Sequence, residues 1–170
     1  MKEITATERL RIRELNEQDS AFILELLNTP GFLRYVGDKG VRDEGGARRY
    51  ISEGPAESYA THGFGLWLVE SKESGSPLGI CGLIKRASLA DVDLGFGFLP
   101  QHAGQGYGHE SAVAVMDHAT RSLELARVVA ITTPDNDRSI KLLRKLGFAF
   151  ERTFTMPGDE VELNLFAINL

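Results

Sequence analysis

At 170 residues, with a net charge of −5 and 25% charged side chains, the chain has the composition of a soluble globular protein with room for one good core and not comfortably for two. The acidic balance without any basic block argues against a nucleic-acid partner, and no apolar run reaches the length of a membrane span. MKEITATERL has no signal-peptide apolar region and Cys81 is the sole cysteine, so a cytoplasmic chain without membrane contact or internal disulfide is expected, with Cys81 a small core hydrophobe inside LGICGLI.

One domain over residues 1–170 is expected, since no repeat or low-complexity linker interrupts it. TERLRIREL alternates Leu10 and Ile12 with charge and reads as a half-exposed strand. From Asn16 to Asn28, the residues Phe22, Ile23, Leu26 and Leu27 share one helical stripe, and TPG is expected to stop it. Asp43 to Thr61 reads as a charged helix of weak periodicity, interrupted near Gly54 and Pro55. FGLWLVE, PLGICGLIKR and VDLGFGFL, separated by SKESGSP and SLAD, read as an antiparallel meander. The spacing of Ala112, Val113, Met116, Ala119 and Leu123 predicts a helix over His109–Leu123, and ARVVAITT follows as a β-branched strand. Asn136 to Leu146 is a short helix with Gly147 as its C-cap residue, and FAFERTF with VELNLFAI, joined by TMPGDE, closes the chain as a hairpin. This order predicts an α/β chain with a mixed sheet and helices on its faces.

Residues 95–108, GFGFLPQHAGQGYG, concentrate glycine between a strand and a helix. Gly95 and Gly97 lie on one strand face, which invites a close backbone approach or a bulge. Gly104, Gly106 and Gly108 then supply a loop able to aim several N–H groups at one point ahead of a helix N-terminus, an arrangement that binds phosphate oxygens. A turn that only redirects the chain accounts for the same glycines. Dinucleotide and nucleoside-triphosphate loops are excluded: His109 stands where GxGxxG needs glycine, and no Gly-Lys pair exists. PDNDRSIKLLRKLGF fails as a calcium loop, with Ile140 at the glycine position and Leu146 at the glutamate position. The four histidines show no metal spacing, so no metal is expected. Trp67, Tyr35, Tyr50 and Phe64 read as core rather than as a pocket lining.

FLPQHAGQGYGHESA, ahead of TTPDNDRSIKLLRKLGF, resembles the two signature segments of the GNAT acetyltransferase superfamily in the form of its RimJ/RimL-type branch, the protein N-terminal acetyltransferases. The resemblance implies the GNAT fold: a twisted, mostly antiparallel mixed sheet with helices on both faces, whose fourth strand splays from the fifth to admit acetyl-coenzyme A. It implies that Phe98 and Leu99 offer backbone to the pantetheine arm and thioester carbonyl. Gly104, Gln105, Gly106, Tyr107, Gly108 and His109 would form the pyrophosphate loop, with Asn136 and Ser139 near the pantetheine and sulfur. Two positions depart from the superfamily pattern. Ala103 stands where the loop usually has Gln or Arg, and Leu143 stands where many members carry a tyrosine acid.

The chemistry sets further requirements. An amine arrives mostly as ammonium at neutral pH, so a base must take its proton. Asp93 is the first candidate, although an exposed charge at the start of a strand would fit it too. Glu110 matches a glutamate common in the branch, and its place in the first turn of a helix is a sufficient structural explanation. A backbone N–H near Phe98 or Leu99 would stabilise the oxyanion, and Ser139 the departing thiolate. Helix capping explains Asn136 and Ser139 equally well. The resemblance thus implies transfer of acetyl from acetyl-coenzyme A to a primary amine by direct attack in a ternary complex, in a monomer or homodimer. A peptide N-terminus is the first expected acceptor. A small amine (amino acid, polyamine or aminoglycoside) and a non-catalytic acyl-coenzyme A sensor are the alternatives.

Overall fold

Strands β1 (Glu3–Ala6), β2 (Leu10–Arg13), β3 (Leu66–Ser71), β4 (Pro77–Ile84), β5 (Val92–Phe98), β6 (Arg127–Thr132), β7 (Ala149–Phe154) and β8 (Leu163–Asn169) form one sheet in the order β1-β2-β3-β4-β5-β6-β8-β7. The computed structural model describes residues 2–170. Helices α1 (Ser20–Leu27), α2 (Pro30–Tyr35), α3 (Glu44–Ile51) and α4 (Glu57–His62) lie between β2 and β3, α5 (Tyr107–Arg121) between β5 and β6, and α6 (Asp137–Lys145) between β6 and β7. The fold is the expected mixed, mostly antiparallel α/β arrangement, with the β5–β6 pair parallel.

Local chemistry explains most boundaries and one correction. Helix α1 ends at Leu27 with Asn28 as its C-cap, so the second element stops ahead of TPG as expected, and the same segment starts another helix. Thr29 accepts a hydrogen bond from the Phe32 N–H and Pro30 occupies the first turn, so the segment caps and opens α2. The expected break at Gly54 and Pro55 is a π-helical turn over Ser52–Ala56 that carries α3 into α4, where proline's missing N–H is accommodated by a wider loop of backbone. Helix α5 buries Ser111, Ala112, Val115 and Ala119, while Val113, assigned above to the inward stripe, is 47% exposed. Small residues on that face let α5 approach the sheet closely.

One side of the sheet packs Trp67, Cys81, Leu83 and Leu94 against Ala112 and Val115 of α5. The other side packs Leu68 and Ile80 against Ile23, Leu26 and Ala47 of the helices preceding β3. Each such fully buried aliphatic side chain stabilises by roughly 1.5–3 kcal/mol relative to exposure. Burial pushes the Cys81 thiol up to about 12, so it is the inert core residue expected. A charged cluster ties β2 to β3 and to the turn before α1. Arg13, 7% exposed, donates to both carboxylate oxygens of Asp19 at 2.9 and 3.0 Å and to Glu70 at 3.2 Å.

The feature that positions the site is the β5–β6 pair. Its parallel register holds only at Val92 with Val128 and Asp93 with Val129, after which β6 continues alone with β8. This is the expected splay, between the fifth and sixth strands here because the Glu3–Ala6 strand precedes the first one read from the sequence.

Candidate active site

Where β5 leaves β6, a cleft of about 820 Å³ opens between the sheet, the helices α2–α4 and α6. Asp93, Gly95, Tyr50, Thr132, Ser139 and Leu143 are among the residues that line it. The sequence-predicted Asp93, Asn136 and Ser139 thus line one cleft, while Phe98, Leu99 and residues 104–110 lie outside its lining.

Asp93 is not an exposed charge. It is 1% exposed, and its Oδ2 accepts from Arg86 Nε at 2.6 Å. Burial raises its carboxyl to about 6, against the opposing effect of the Arg86 guanidinium. A carboxylate so tuned is ionised at neutral pH and is a far better proton acceptor than an ordinary aspartate. Ile84 pairs with Asp93 across β4 and β5, so the residues following β4 pass beside Asp93, which explains the contact with Arg86.

The face carrying Gly95 and Gly97 is not bulged, because the β4–β5 register runs without a shift. A Cβ on Gly95 would meet Ile84 at 3.0 Å and Leu66 at 3.3 Å, and one on Gly97 would meet Phe32 at 3.5 Å. Those glycines make room for apolar side chains. The Leu99 N–H donates to Leu78 at 3.0 Å and its carbonyl accepts from the His102 N–H, so Leu99 has no spare N–H for an oxyanion or a ligand arm. Alternation along β5 turns the polar groups of Phe98 the other way, toward the opening. Of the two expected backbone partners only Phe98 is available.

Gly104 and Gly106 take left-handed conformations, φ +75° and +83°, which glycine adopts without strain. The Glu110 N–H donates to the Gly106 carbonyl at 3.0 Å as the first bond of α5. Among the described residues, no backbone N–H from Gly104 through His109 has an intramolecular acceptor, so these donors and the α5 dipole stand ready for an anion. Gly108 serves another purpose: inside α5, its Cβ would lie 3.4 Å from Leu142 of α6.

Glu110 does not reach the cleft. Its carboxylate accepts from Thr7 Oγ1 at 2.6 Å, Arg9 Nε at 2.7 Å and the Arg9 N–H at 3.1 Å, and these hydrogen bonds hold it below the usual carboxylate range although partial burial works the other way. Arg9 also donates to the Gln105 carbonyl at 3.0 Å and covers the Tyr107 ring at 4.5 Å. Glu110 and Arg9 therefore fasten the glycine loop to the β1–β2 hairpin. Asn136 accepts from the Ser139 N–H at 3.4 Å and caps α6, while the Ser139 hydroxyl makes no hydrogen bond among the described residues. Leu143 is fully buried.

Sequence reasoning passed over Arg9, Arg86 and Thr132. Thr132 is 5% exposed, lines the cleft, and its hydroxyl has no partner among the described residues. Its only signal was a hydroxyl at the end of the aliphatic run Val128–Ile131. Of the four aromatics read as core, Trp67 and Phe64 are buried, whereas Tyr35 and Tyr50 line the cleft. The unpaired edge of β5, the orphaned hydroxyl and the free amides together suit a long ligand with phosphates at the loop and its far end near Asp93.

The family model described as an acetyltransferase (GNAT) domain matches residues 9–149. The uncharacterised protein YkkB of Bacillus subtilis is 28% identical over 150 residues, covering 86% of each chain. The crystal structure of an acetyltransferase from Agrobacterium tumefaciens superposes with a TM-score of 0.84 at 22% identity, covering 100% of this chain and 95% of that one. The acetyltransferase of Salmonella typhimurium that modifies the N-terminal serine of ribosomal protein L7/L12 superposes at 0.84 with 17% identity and 99% coverage of both chains.

Proposed function

This chain belongs to the acetyltransferase (GNAT) family, and on that premise we propose that it transfers an acetyl group from acetyl-coenzyme A to a primary amine. The observation that carries the proposal is Asp93, a buried carboxyl raised to about 6, placed where β5 and β6 part. When bound, the cosubstrate supplies an acetyl thioester, an electrophile whose thiol is a ready leaving group.

The chain's own residues then divide the work. Asp93 takes the proton of the incoming ammonium, and the Arg86 contact keeps its carboxylate in place. The free amides of Gly104 to His109 would hold the pyrophosphate, and the outward backbone of Phe98 the arm and the developing oxyanion. The Ser139 hydroxyl, unpaired in the cleft, is the donor available for the departing sulfur. With Leu143 at the tyrosine position, no phenol is offered there. A peptide N-terminus is the first acceptor, supported by the structural likeness to an enzyme that modifies one. A cytoplasmic setting suits this use of acetyl-coenzyme A, and among the described residues no helix is long and apolar enough to cross a membrane.

Thiol release from acetyl-coenzyme A, followed over a panel of peptide and small-molecule amines, tests the proposal. Asp93→Asn is expected to lower turnover by about a hundredfold while the cofactor still binds. Cofactor binding without turnover on any amine would favour a sensing module instead.

A further inference from the structure

Beside Asp93 the cleft carries more hydrogen-bond donors than acetyl transfer itself employs. Arg86 gives only its Nε to Asp93, and its two Nη groups have no partner among the described residues. Lys39, exposed overall, lines the same cleft from the loop after α2 and takes part in no hydrogen bond or ion pair among the described residues. The Tyr50 hydroxyl, from α3, is likewise unpaired there. Crowding by protein, and then the Arg86 charge, hold the Lys39 ammonium below its ordinary value; burial raises the Tyr50 phenol, and the same Arg86 charge opposes that rise. Arg86 is thus the shared neighbour of Asp93, Lys39 and Tyr50.

Asp93 holds Arg86 in an ion pair at 2.6 Å. Glu53, Glu57 and Asp159 also line the cleft, and among the described residues none of them forms an ion pair with Lys39 or Arg86. The other cations of the lining are spent: Arg34 pairs with Asp135 at 3.2 Å, and Lys85 donates to the Leu89 carbonyl at 2.7 Å. The free Nη groups of Arg86, the Lys39 ammonium and the Tyr50 hydroxyl leave the cleft with donors that have no acceptor, which an incoming anion would satisfy.

We propose that Lys39, Tyr50 and the free guanidinium nitrogens of Arg86 form an anion subsite, so that the acceptor is a primary amine bearing a carboxylate close to its nitrogen. The inference rests on the acetyltransferase reading of this cleft. The ammonium would approach Asp93 and the carboxylate the far side of Arg86, a separation that a free α-amino acid or a peptide opening with aspartate or glutamate can span.

Matched pairs decide the matter. For the free amino acid, leucine is compared with leucinamide. For the peptide, C-terminally amidated Asp-Ala-Ala-Ala is compared with Asn-Ala-Ala-Ala. Both kcat/KM and calorimetric affinity in the presence of coenzyme A are measured. In at least one pair the carboxylate-bearing member is expected to be favoured by roughly tenfold or more, the scale of a hydrogen bond to a charged group. That preference should disappear in Lys39→Ala and invert in Lys39→Glu, with acetyl-coenzyme A affinity unchanged. The responding pair identifies the source of the carboxylate. Equal kcat/KM and affinity within both pairs, or a preference that survives Lys39→Glu, would overturn the inference while leaving acetyl transfer intact. A protein that turns over no amine at all would contradict the function instead, and the calorimetric pairs would still decide the subsite.

Discussion

Gly106 combines two demands at one position. At φ +83° an L side chain is strained, and a Cβ there would stand 3.3 Å from the Arg9 guanidinium that braces the loop. Gly106→Val is therefore expected to weaken acetyl-coenzyme A at least tenfold, or ~1.4 kcal/mol, measured by calorimetry, while the core keeps its fold. Arg9→Ala removes the Gln105, Tyr107 and Glu110 contacts together and should also raise Kd, with kcat at saturating cofactor little changed. An unaltered Kd in both variants would show that loop shape is not what holds the ligand. Asp93 carries a pH prediction for stability. The native carboxyl keeps its proton up to about 6, whereas the unfolded one releases it near the ordinary value of about 4. The native state therefore binds more protons between those values, and this group's contribution to stability falls as pH rises through that window. Denaturant titrations should show that decline in the wild type and not in Asp93→Asn.

At the level of elements, the Arg13 cluster joins β2, β3 and the start of α1 away from solvent. Asp19→Ala would leave the Arg13 guanidinium buried without its bidentate partner, which costs about 3–5 kcal/mol when a buried ion pair loses one member. Urea denaturation of that variant should show a loss of this size, and a change under 1 kcal/mol would mean that Glu70 alone suffices. The strands of the meander, the α5 and α6 helices and the closing hairpin were legible because period-two and helical patterns survive in their sequences. The stop at TPG was legible but the start of α2 within it was not, because proline after a threonine cap starts a helix as readily as its ring ends one. Strand β1, EITA, was missed although it is as long as β2, which was read. In the site, glycine-rich spacing announced the loop, but nothing in a linear string showed that the Leu99 N–H is spent on Leu78 or that Glu110 is held by Arg9. Those facts are made by pairing across the sheet, between residues far apart in sequence.

For the whole molecule, the splay is a cost as well as an opening: two strands that part leave backbone groups without partners, and a ligand that fills the gap should stabilise the native state. Saturating acetyl-coenzyme A at 100 times Kd is expected to add ~2.7 kcal/mol, a rise in Tm of roughly 5–10 °C for a chain of this size. A Gly106→Val chain should show little of that rise at the same concentration. The measurement that tests the account most directly is the pH dependence of kcat/KM for acetyl transfer, wild type against Asp93→Asn. The account predicts an ascending limb near pH 6 in the wild type, set by the buried carboxyl, above which only the acceptor amine's own ionisation raises the rate further. In Asp93→Asn that limb should vanish together with most of the turnover. A variant that keeps both the limb and the rate would show that Asp93 does not take the proton.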